Sequence, residues 1–158
     1  MKKSAKKRDD AVVFLSFESE FISFGGLGAV MKLLPNELGP SACVIMAPLF
    51  RKLVNFEELK RKGSVTKVAS LFTQHILVRG ESYPVEVIEV VNAQGLRTFY
   101  LGSDRFFQAG GNPYVNPCDG AAALDPYRNP IDGDALTEDA LFFCIAAPLV
   151  LAELAKDG

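Results

Sequence analysis

Residues 11–30 read Ala-Val-Val-Phe-Leu-Ser-Phe-Glu, Ser-Glu, Phe-Ile-Ser-Phe and then Gly-Gly-Leu-Gly-Ala-Val, and this stretch decides the fold. An apolar run ends in a small polar residue and a carboxylate, and a pair of glycines then opens into a helical pattern. This order is typical of a buried parallel strand that delivers a loop and a helix N-terminus to one edge of an α/β sheet. Ligands of such sheets bind at that edge, outside the carboxyl ends of the strands.

An amphipathic helix and a second buried strand are predicted to follow. The helix has one apolar face, made by Leu27, Val30, Met31, Leu34 and Leu38. We expect it to end at Gly39-Pro40, with a kink or an early break at Pro35. The apolar residues 42–49 predict a strand that ends at Pro48. Strand, helix and strand in this order predict a right-handed βαβ unit with a parallel sheet.

The pattern changes in the middle of the chain. Residues 50–62 are interpreted as irregular, although their apolar residues have the spacing of a short helix. Residues 65–72, 75–79, 85–91 and 97–101 are strand-like, and turn residues stand at 79–82 and 92–95. Strands joined by tight turns cannot be parallel, so an antiparallel meander is predicted. Whether its last one or two strands join the main sheet stays open at this point.

A long loop and a final helix complete the chain. Residues 102–134 concentrate glycine, proline, asparagine and aspartate, and a loop of this length is usually functional or disordered. Thr137 is expected to be the N-cap of the final helix, with acidic residues in its first turn. That helix is apolar on nearly all sides, which predicts either burial or a further surface against which it packs. Pro148 predicts a kink in it.

Composition and charge exclude several classes of function. The chain has 158 residues and a formal net charge of −2, without the positive surplus of nucleic-acid-binding proteins, so no nucleic-acid partner is expected. Its three cysteines form no Cys-x-x-Cys pair, and Cys43 and Cys144 lie in apolar runs. This favours buried free thiols in a reducing, cytoplasmic compartment. The longest apolar run near the C-terminus, residues 140–152, is too short to span a membrane, and no membrane partner is expected.

Length and charge also predict how the chain is divided. Residues 1–10 are interpreted as a disordered basic tail, with a phosphate- or membrane-attracting arm as the alternative. Residues 11–158 are predicted to form one domain, large enough to bury a substantial apolar core.

The glycines and the carboxylate before them each leave two interpretations open. Gly26-Leu27-Gly28 supplies two glycines of a dinucleotide fingerprint, but Met31 replaces the third, so nicotinamide binding is not expected. Gly25 and Gly26 either allow close approach of an anion such as a diphosphate to the helix N-terminus or form a tight strand-to-helix turn that needs positive φ. Glu18 is either an acceptor for a hydroxyl of a bound ligand, or a cap or turn residue.

Other polar residues carry weaker signals. His75 has no second ligand at metal-binding spacing, so it is interpreted as a residue on a strand face and no metal site is predicted. Three tyrosines are candidates for stacking on a ring of a bound ligand, with packing under the loop as the favoured interpretation: Tyr100, Tyr114 and Tyr127. Loop polar residues are candidates for holding ligand hydroxyls, with solvent-facing turns favoured: Asp104-Arg105, Asp119 and Asp125.

Several segments resemble one family, the bacterial glycogen synthases and plant starch synthases. In that family a strand ending in Ser-x-Glu leads to Lys-x-Gly-Gly-Leu and to a helix closing on Leu-Pro. Ser16-Phe17-Glu18, Gly25-Gly26-Leu27 and Leu34-Pro35 are similar to these motifs. Gly110-Gly111-Asn112-Pro113-Tyr114 is similar to the family's Gly-x-Pro-Tyr segment. The resemblance covers nearly the whole chain, strongly as far as residue 50 and loosely thereafter.

The resemblance implies an α/β, Rossmann-like fold: part of the N-terminal lobe of a glycosyltransferase of the B type, with an antiparallel β-meander inserted into a parallel sheet. Family enzymes have two lobes and transfer glucose from ADP- or UDP-glucose to an α-1,4-glucan with retention of configuration, without a cofactor. The N-terminal lobe holds the acceptor and touches the donor diphosphate. The second lobe, in cis or as a separate chain, holds the catalytic groups. This chain is therefore expected to carry no catalytic residue and to be inactive alone.

Residue by residue, the resemblance implies substrate or donor contacts by Glu18, Ser23, Gly25, Gly26, Tyr114 and Asp134. Ser23 stands where the family has a lysine, and a serine cannot neutralise a diphosphate as an ammonium group does. Asp134 is one position out of register with the family's Asp-Asn. The family's Arg-Phe pair is lost, since Asp139 and Ala140 stand there. In this family Glu18 would accept a hydroxyl of glucan or donor, and the candidate tyrosines and loop residues would meet a sugar. Ser23 and the missing arginine favour a second interpretation, a non-catalytic carbohydrate-binding or regulatory module on the same scaffold, whereas the apolar final helix favours the lobe of a synthase. A third is an unrelated nucleotide-binding α/β domain.

Overall fold

The computed structural model describes residues 11–114 and 135–156, and within them five strands form one sheet accompanied by three helices. In chain order the elements are β1 (Val12–Leu15), α1 (Gly26–Leu38), β2 (Cys43–Pro48), α2 (Phe56–Arg61), β3 (Val65–Val78), β4 (Glu81–Asn92), β5 (Arg97–Gly102) and α3 (Ala135–Leu154). The order of strands across the sheet is β1-β2-β5-β4-β3. The predicted basic tail, residues 1–10, lies outside the described residues.

The sheet is parallel at one side and antiparallel at the other. β1 pairs with β2 in parallel, and β2 pairs in parallel with β5. β5 is also the last strand of an antiparallel meander with β4 and β3. The predicted α/β fold is therefore confirmed, and the question left open by the sequence is answered, since β5 is the strand by which the meander joins the parallel sheet.

The first strand of the meander is longer than predicted. Residues 65–72 and 75–79 were expected to form two strands, but β3 runs without a break from Val65 to Val78. The pairing of β3 with β4 shifts register between Ser70 and Phe72. Such a shift is typical of a β-bulge, which allows a strand to continue. The turn that follows is the predicted one: Arg79 and Gly80 have φ of 52° and 86°, as the two central residues of a type I′ hairpin turn require.

Two predicted helix boundaries are wrong. Residues 50–62 are not wholly irregular, because α2 forms where the Asn55 side chain accepts a hydrogen bond from Glu58 N at 3.0 Å and so caps the helix. Thr137 is not the N-cap of the final helix, because α3 begins at Ala135 and Thr137 lies inside its first turn. The predicted end of α1 is confirmed, with Gly39 at φ 109°, and Pro35 does not stop that helix.

The predicted packing face of α1 is also wrong, except at Met31. The buried residues of α1 are Gly28, Met31 and Pro35. Four members of the predicted apolar face are between 41% and 56% exposed: Leu27, Val30, Leu34 and Leu38. Gly28 permits a close approach to the loop before the helix, since a Cβ there would meet Ser23 and Glu18, and the larger leucines are left outside.

The core lies under the middle strands of the sheet. Ile45, Met46, Val87, Tyr100 and Leu101 are fully buried. β1 was expected to be covered on both faces, but it is the end strand of the sheet in the described residues, and Val12 and Leu15 are 49% and 51% exposed. The final helix is only partly covered, with an exposed row at Leu141, Ile145 and Leu149. Cys43 is buried as expected, but Cys144 is exposed on α3.

Candidate functional site

The three parallel strands end at the same edge of the sheet. Their last residues are Leu15, Pro48 and Gly102, and the residues that follow form the edge at which ligands of α/β sheets bind. The segment after β1, residues 16–25, leads to α1 and contains three of the six residues predicted for the site, Glu18, Ser23 and Gly25. We call residues 23–28 the glycine loop and residues 110–114 the Tyr114 segment.

Glu18 is the centre of this site. Its side chain is buried, with only 4% of the residue exposed. The Oε2 atom accepts hydrogen bonds from the amides of Phe24, Gly25 and Gly28, at 2.9, 3.2 and 2.9 Å. A carboxylate at this place also lies favourably against the partial positive charge of the α1 N-terminus. Of the two interpretations of Glu18 that the sequence left open, the capping role is the one seen in the structure.

The backbone of Glu18 is fixed as well as its side chain. Ser16 Oγ donates to the Glu18 carbonyl at 2.6 Å and accepts from the Glu18 amide at 3.3 Å. Ser19 Oγ lies 2.7 Å from the Tyr100 hydroxyl on β5 and accepts from Ile22 N at 3.2 Å. The segment between β1 and the glycine loop is therefore pinned to the sheet on both sides of Glu18.

Gly28 is the glycine that the local packing requires. A Cβ at this position would lie 2.0 Å from Ser23 Oγ and 2.8 Å from Glu18 Oε2, far inside van der Waals contact. Gly25 and Gly26 meet no such restriction, since nothing lies within 4 Å of a Cβ built at either, and neither has a positive φ. The interpretation of these two glycines as a turn that needs positive φ is therefore wrong.

Ser23 is exposed at the mouth of the glycine loop. Its hydroxyl is 3.5 Å from the carbonyl oxygen of Gly25, which is the upper limit for a hydrogen bond. No cationic side chain takes the place of the family lysine at this position. Ser23 thus offers a hydroxyl, and no charge, to whatever lies beside it.

The Tyr114 ring packs against two phenylalanines, one just before Glu18 and one in the glycine loop. Its ring centroid is 6.3 Å from that of Phe17 and 6.0 Å from that of Phe24, the spacing of interacting aromatic pairs. Burial, followed by the charge of Glu18, raises the pKa of Tyr114 well above its usual range. The phenol therefore stays protonated.

Two donors at the start of α1 remain available. Phe24, Gly25 and Gly28 give their amides to Glu18, and the Ala29 amide reaches the Gly25 carbonyl at 3.4 Å. The amides of Gly26 and Leu27 have no acceptor within residues 11–114 and 135–156. Amides of this kind at a helix N-terminus are suited to an anionic or hydroxyl oxygen.

The structure assembles most of the predicted site residues. Glu18, Ser23, Gly25, Gly26 and Tyr114 lie in or against the glycine loop, whereas Asp134 lies outside the described residues. Tyr100 is fully buried, in agreement with the packing interpretation. His75 lies on β3, and its ring nitrogen Nδ1 is 3.2 Å from the Ser82 hydroxyl oxygen. Tyr127, Asp119 and Asp125 are also outside the described part of the chain.

Of the cations at the same edge, sequence reasoning missed Arg51 and Lys52, whereas Arg105 was already a candidate. Arg51 pairs with Glu86, and Arg105 Nη2 lies 2.9 Å from Glu138 Oε2. Lys52 Nζ instead donates to the backbone carbonyl of Gln108 at 3.0 Å. Arg51 and Lys52 lie shortly after the end of β2, and Arg105 shortly after the end of β5. This position in the sequence is the signal that places the three cations at the ligand-binding edge. Arg51 and Lys52 also line an open cavity of about 670 Å³, which extends to α2 and Val68 and is lined by residues outside the glycine loop.

Two further classes of site receive no support from the described residues. In residues 11–114 and 135–156 no cluster of three or more metal-ligating side chains occurs. None of the helices in those ranges combines the length and apolar character that a membrane crossing requires.

The chain is similar to known proteins in sequence and in fold. Residues 11–153 match the family described as the starch synthase catalytic domain. Among solved structures, the chain is similar to the catalytic domain of starch synthase IV from Arabidopsis thaliana bound to ADP and acarbose, with a TM-score of 0.52 and 18% sequence identity. The similarity covers 65% of this chain and 20% of that one, so the chain spans about a fifth of that structure. No match was found among curated proteins.

Proposed function

The chain belongs to the starch synthase catalytic domain family, and from this membership we propose that it forms part of the N-terminal lobe of a glycogen- or starch-synthase-like glycosyltransferase. In this proposal the lobe binds an α-1,4-glucan acceptor and the diphosphate of ADP- or UDP-glucose for retaining glucosyl transfer. A second lobe, in cis or as a separate chain, supplies the catalytic groups. The chain alone is proposed to bind ligands without turning them over.

The observation that carries the proposal is the pair of amides at Gly26 and Leu27, which lack an acceptor in the described residues and stand at the ligand-binding edge of the sheet. Gly25 and Gly26 leave room above the backbone there, since neither position has a neighbouring atom within 4 Å of a built Cβ. Ser23, Tyr114 and Asp134 are proposed to contribute around this point. The Arabidopsis structure supports the proposal by its fold, and ADP is taken from its description as the ligand to test.

The test is a titration of the isotopically labelled chain with ADP, followed by amide resonances. The proposal predicts saturable shifts centred on Gly26 and Leu27. Gly26→Ala is expected to fold normally and to weaken ADP binding about tenfold or more, because its methyl group occupies the approach to the amides. Leu38→Ala, at the far end of the same helix, is the matched control and should bind as the parent does. Saturable ADP binding that Gly26→Ala leaves unchanged would contradict the proposed position.

A second candidate function is favoured by the charge of the loop. Ser23 brings no cation, and the buried Glu18 carboxylate brings a negative charge, so an uncharged glucan is less disfavoured here than a diphosphate. In this alternative the chain is a carbohydrate-binding or regulatory module. Titration with maltoheptaose in parallel with ADP distinguishes the two: glucan binding without ADP binding supports the module, and binding of both supports the synthase lobe.

A further inference from the structure

β1 has a backbone edge with which no strand of residues 11–114 and 135–156 pairs. The amides of Val12 and Ser16 donate to carbonyls of the chain beside and on β2, at 2.8 and 3.0 Å. Alternate residues of a strand direct their backbone groups to opposite sides. The amides and carbonyls of Val13 and Leu15 therefore point away from β2, toward the free edge.

The two ends of the sheet differ in how their free edges are protected. β3, at the other end, carries Lys67 and many polar residues, and its pairing with β4 shifts register twice. Edge charges and bulges of this kind hinder association of one sheet edge with another. β1 has neither, because it is wholly apolar and pairs with β2 in a single register. The unprotected edge is thus the one at β1.

The exposed apolar side chains of α1 lie beside this edge. They form a stripe, called here the α1 stripe, made of four residues that are each at least 41% exposed: Leu27, Val30, Leu34 and Leu38. With 3.6 residues per turn, the stripe lies about a quarter-turn from the line of buried residues of the same helix. In a right-handed βαβ unit that side of the helix faces away from β2. The α1 stripe and the free edge of β1 therefore face the same margin of the molecule.

The free edge is complementary to itself. If two copies of β1 pair antiparallel about a two-fold axis near Phe14, Val13 of each copy lies opposite Leu15 of the other. These are the two residues whose backbone groups point outward, so both pairs are hydrogen-bonded. A two-fold contact brings the same surface from each copy together. Neither β1 nor the α1 stripe contains a charged residue, so no like charges meet.

From these observations we propose that two copies of this chain associate through β1 and the α1 stripe. The two sheets become one continuous sheet, and the two helices lie antiparallel on the same face of it. The stripe is a necessary part of the contact, because specific interfaces bury about 1,200–2,000 Å² in total and a strand of four residues is too small to supply this alone. The inference does not depend on the proposed function.

Sedimentation equilibrium of the chain over a range of concentrations tests the association. We expect a reversible equilibrium between monomer and dimer. Leu15→Lys places a charge in the paired edge, and Leu34→Lys places one in the α1 stripe, so each should raise the dissociation constant about tenfold or more. Leu77→Lys is the matched control, since Leu77 is also exposed but lies on β3 at the other end of the sheet. It should dimerise as the parent does.

All three leucines are at least 41% exposed, so the variants are expected to fold, and urea unfolding of the dilute proteins checks this. Hydrogen exchange supplies a second measurement on the parent chain. The amides of Val13 and Leu15 should exchange about tenfold more slowly or better when the concentration rises through the dissociation constant. In Leu34→Lys their exchange should stay fast at the same concentrations.

Three results would overturn the proposal. The first is a chain that stays monomeric at every concentration. The second is a dimer that Leu15→Lys leaves as tight as the parent, because the interface then lies elsewhere. The third is slow exchange at Val13 and Leu15 that does not depend on concentration, because the edge is then occupied by another part of the same chain.

Discussion

The hydroxyl of Ser19 and the hydroxyl of Tyr100 are hydrogen-bonded at 2.7 Å inside the protein, and this contact ties the segment after β1 to the middle of β5. Tyr100 is fully buried, and burial raises the pKa of its phenol well above the usual value, an effect only partly offset by the bond to Ser19. The folded protein therefore holds this phenol neutral at pH values where an unfolded chain would ionise it.

This shift makes Tyr100 a source of alkaline instability. Its folded pKa is raised, so its contribution to stability is complete below the unfolded pKa of about 10 and is lost as pH rises above it. We expect Tyr100→Phe to be about 1 kcal/mol less stable than the parent at pH 7 because the hydrogen bond is lost. The difference should shrink by up to about 1.4 kcal/mol per pH unit above pH 10. Urea unfolding from pH 7 to 11 measures it, and a difference that stays constant with pH would contradict the shift.

Gly28 should tolerate a methyl group far less well than its neighbour Gly26. At Gly28 the new Cβ would lie 2.4 Å from Ser23 Cβ as well as 2.8 Å from Glu18 Oε2, whereas Gly26 has open space. Gly28→Ala should lower the free energy of unfolding by about 1–3 kcal/mol, and Gly26→Ala should change it by less than about 1 kcal/mol in either direction. Chemical denaturation of both variants tests this, and equal effects would show that Gly28 is not the close contact.

The buried face of α1 can be checked with two substitutions on the same helix. Met31 is 6% exposed and Leu33 is 61% exposed. Met31→Ala should cost about 2–5 kcal/mol of unfolding free energy, whereas Leu33→Ala should change it by less than about 0.5 kcal/mol. Urea unfolding of the dilute protein measures both variants. If the apolar face predicted from the sequence were the buried one, alanine at Leu34 and at Leu38 would also lower the free energy of unfolding strongly.

Glu89 on β4 should make the fold sensitive to acid. Burial acts to raise its pKa, but bonds from Lys67 at 2.5 Å and Arg97 at 2.6 Å outweigh burial and leave the pKa lowered. A lowered folded pKa gives stability that is present above the unfolded pKa of about 4.3 and lost as pH falls through the folded pKa.

Glu89→Gln is therefore expected to be about 1–3 kcal/mol less stable than the parent at pH 7, with a smaller difference at pH 3. Unfolding by urea at both pH values gives the comparison. Glu153→Gln is the control, because Glu153 and its partner Lys156 are both exposed. This substitution should change the free energy of unfolding by no more than about 0.5 kcal/mol. An undiminished difference at pH 3 would show that the ion pairs are not its cause.

The backbone elements at the start of the chain were predictable because their signals are local. The apolar run of β1, the helix end at Gly39 and the proline at the end of β2 each act within a few residues. The same holds for the turn at Arg79 and Gly80, whose conformation depends on those two residues. The continuity of β3 was harder to predict. The strand continues through polar residues because a β-bulge accommodates the irregularity, and the residue types do not indicate a bulge.

The packing of the site could not be predicted from periodicity. Gly28 carries no hydrophobic signal, yet it faces inward because a Cβ there would clash with Ser23 and Glu18. Glu18 acts as a cap because residues 19–27 fold back and bring the amide of Gly28 to its carboxylate. The ring contacts of Tyr114 with Phe17 and Phe24 join residues about 90 positions apart, so no local pattern contains them.

β1 is held by a single neighbouring strand over four residue pairs in the described part of the chain. The glycine loop follows the carboxyl end of β1 in the chain. We therefore expect ordering of the loop and ordering of this end strand to be coupled. Anything that binds the loop in its ordered form then slows the fraying of β1 by mass action. Occupancy of the loop should consequently be measurable by hydrogen exchange at the amides of Val12 and Ser16, which bond the carbonyls of Ala42 and Met46 beside β1.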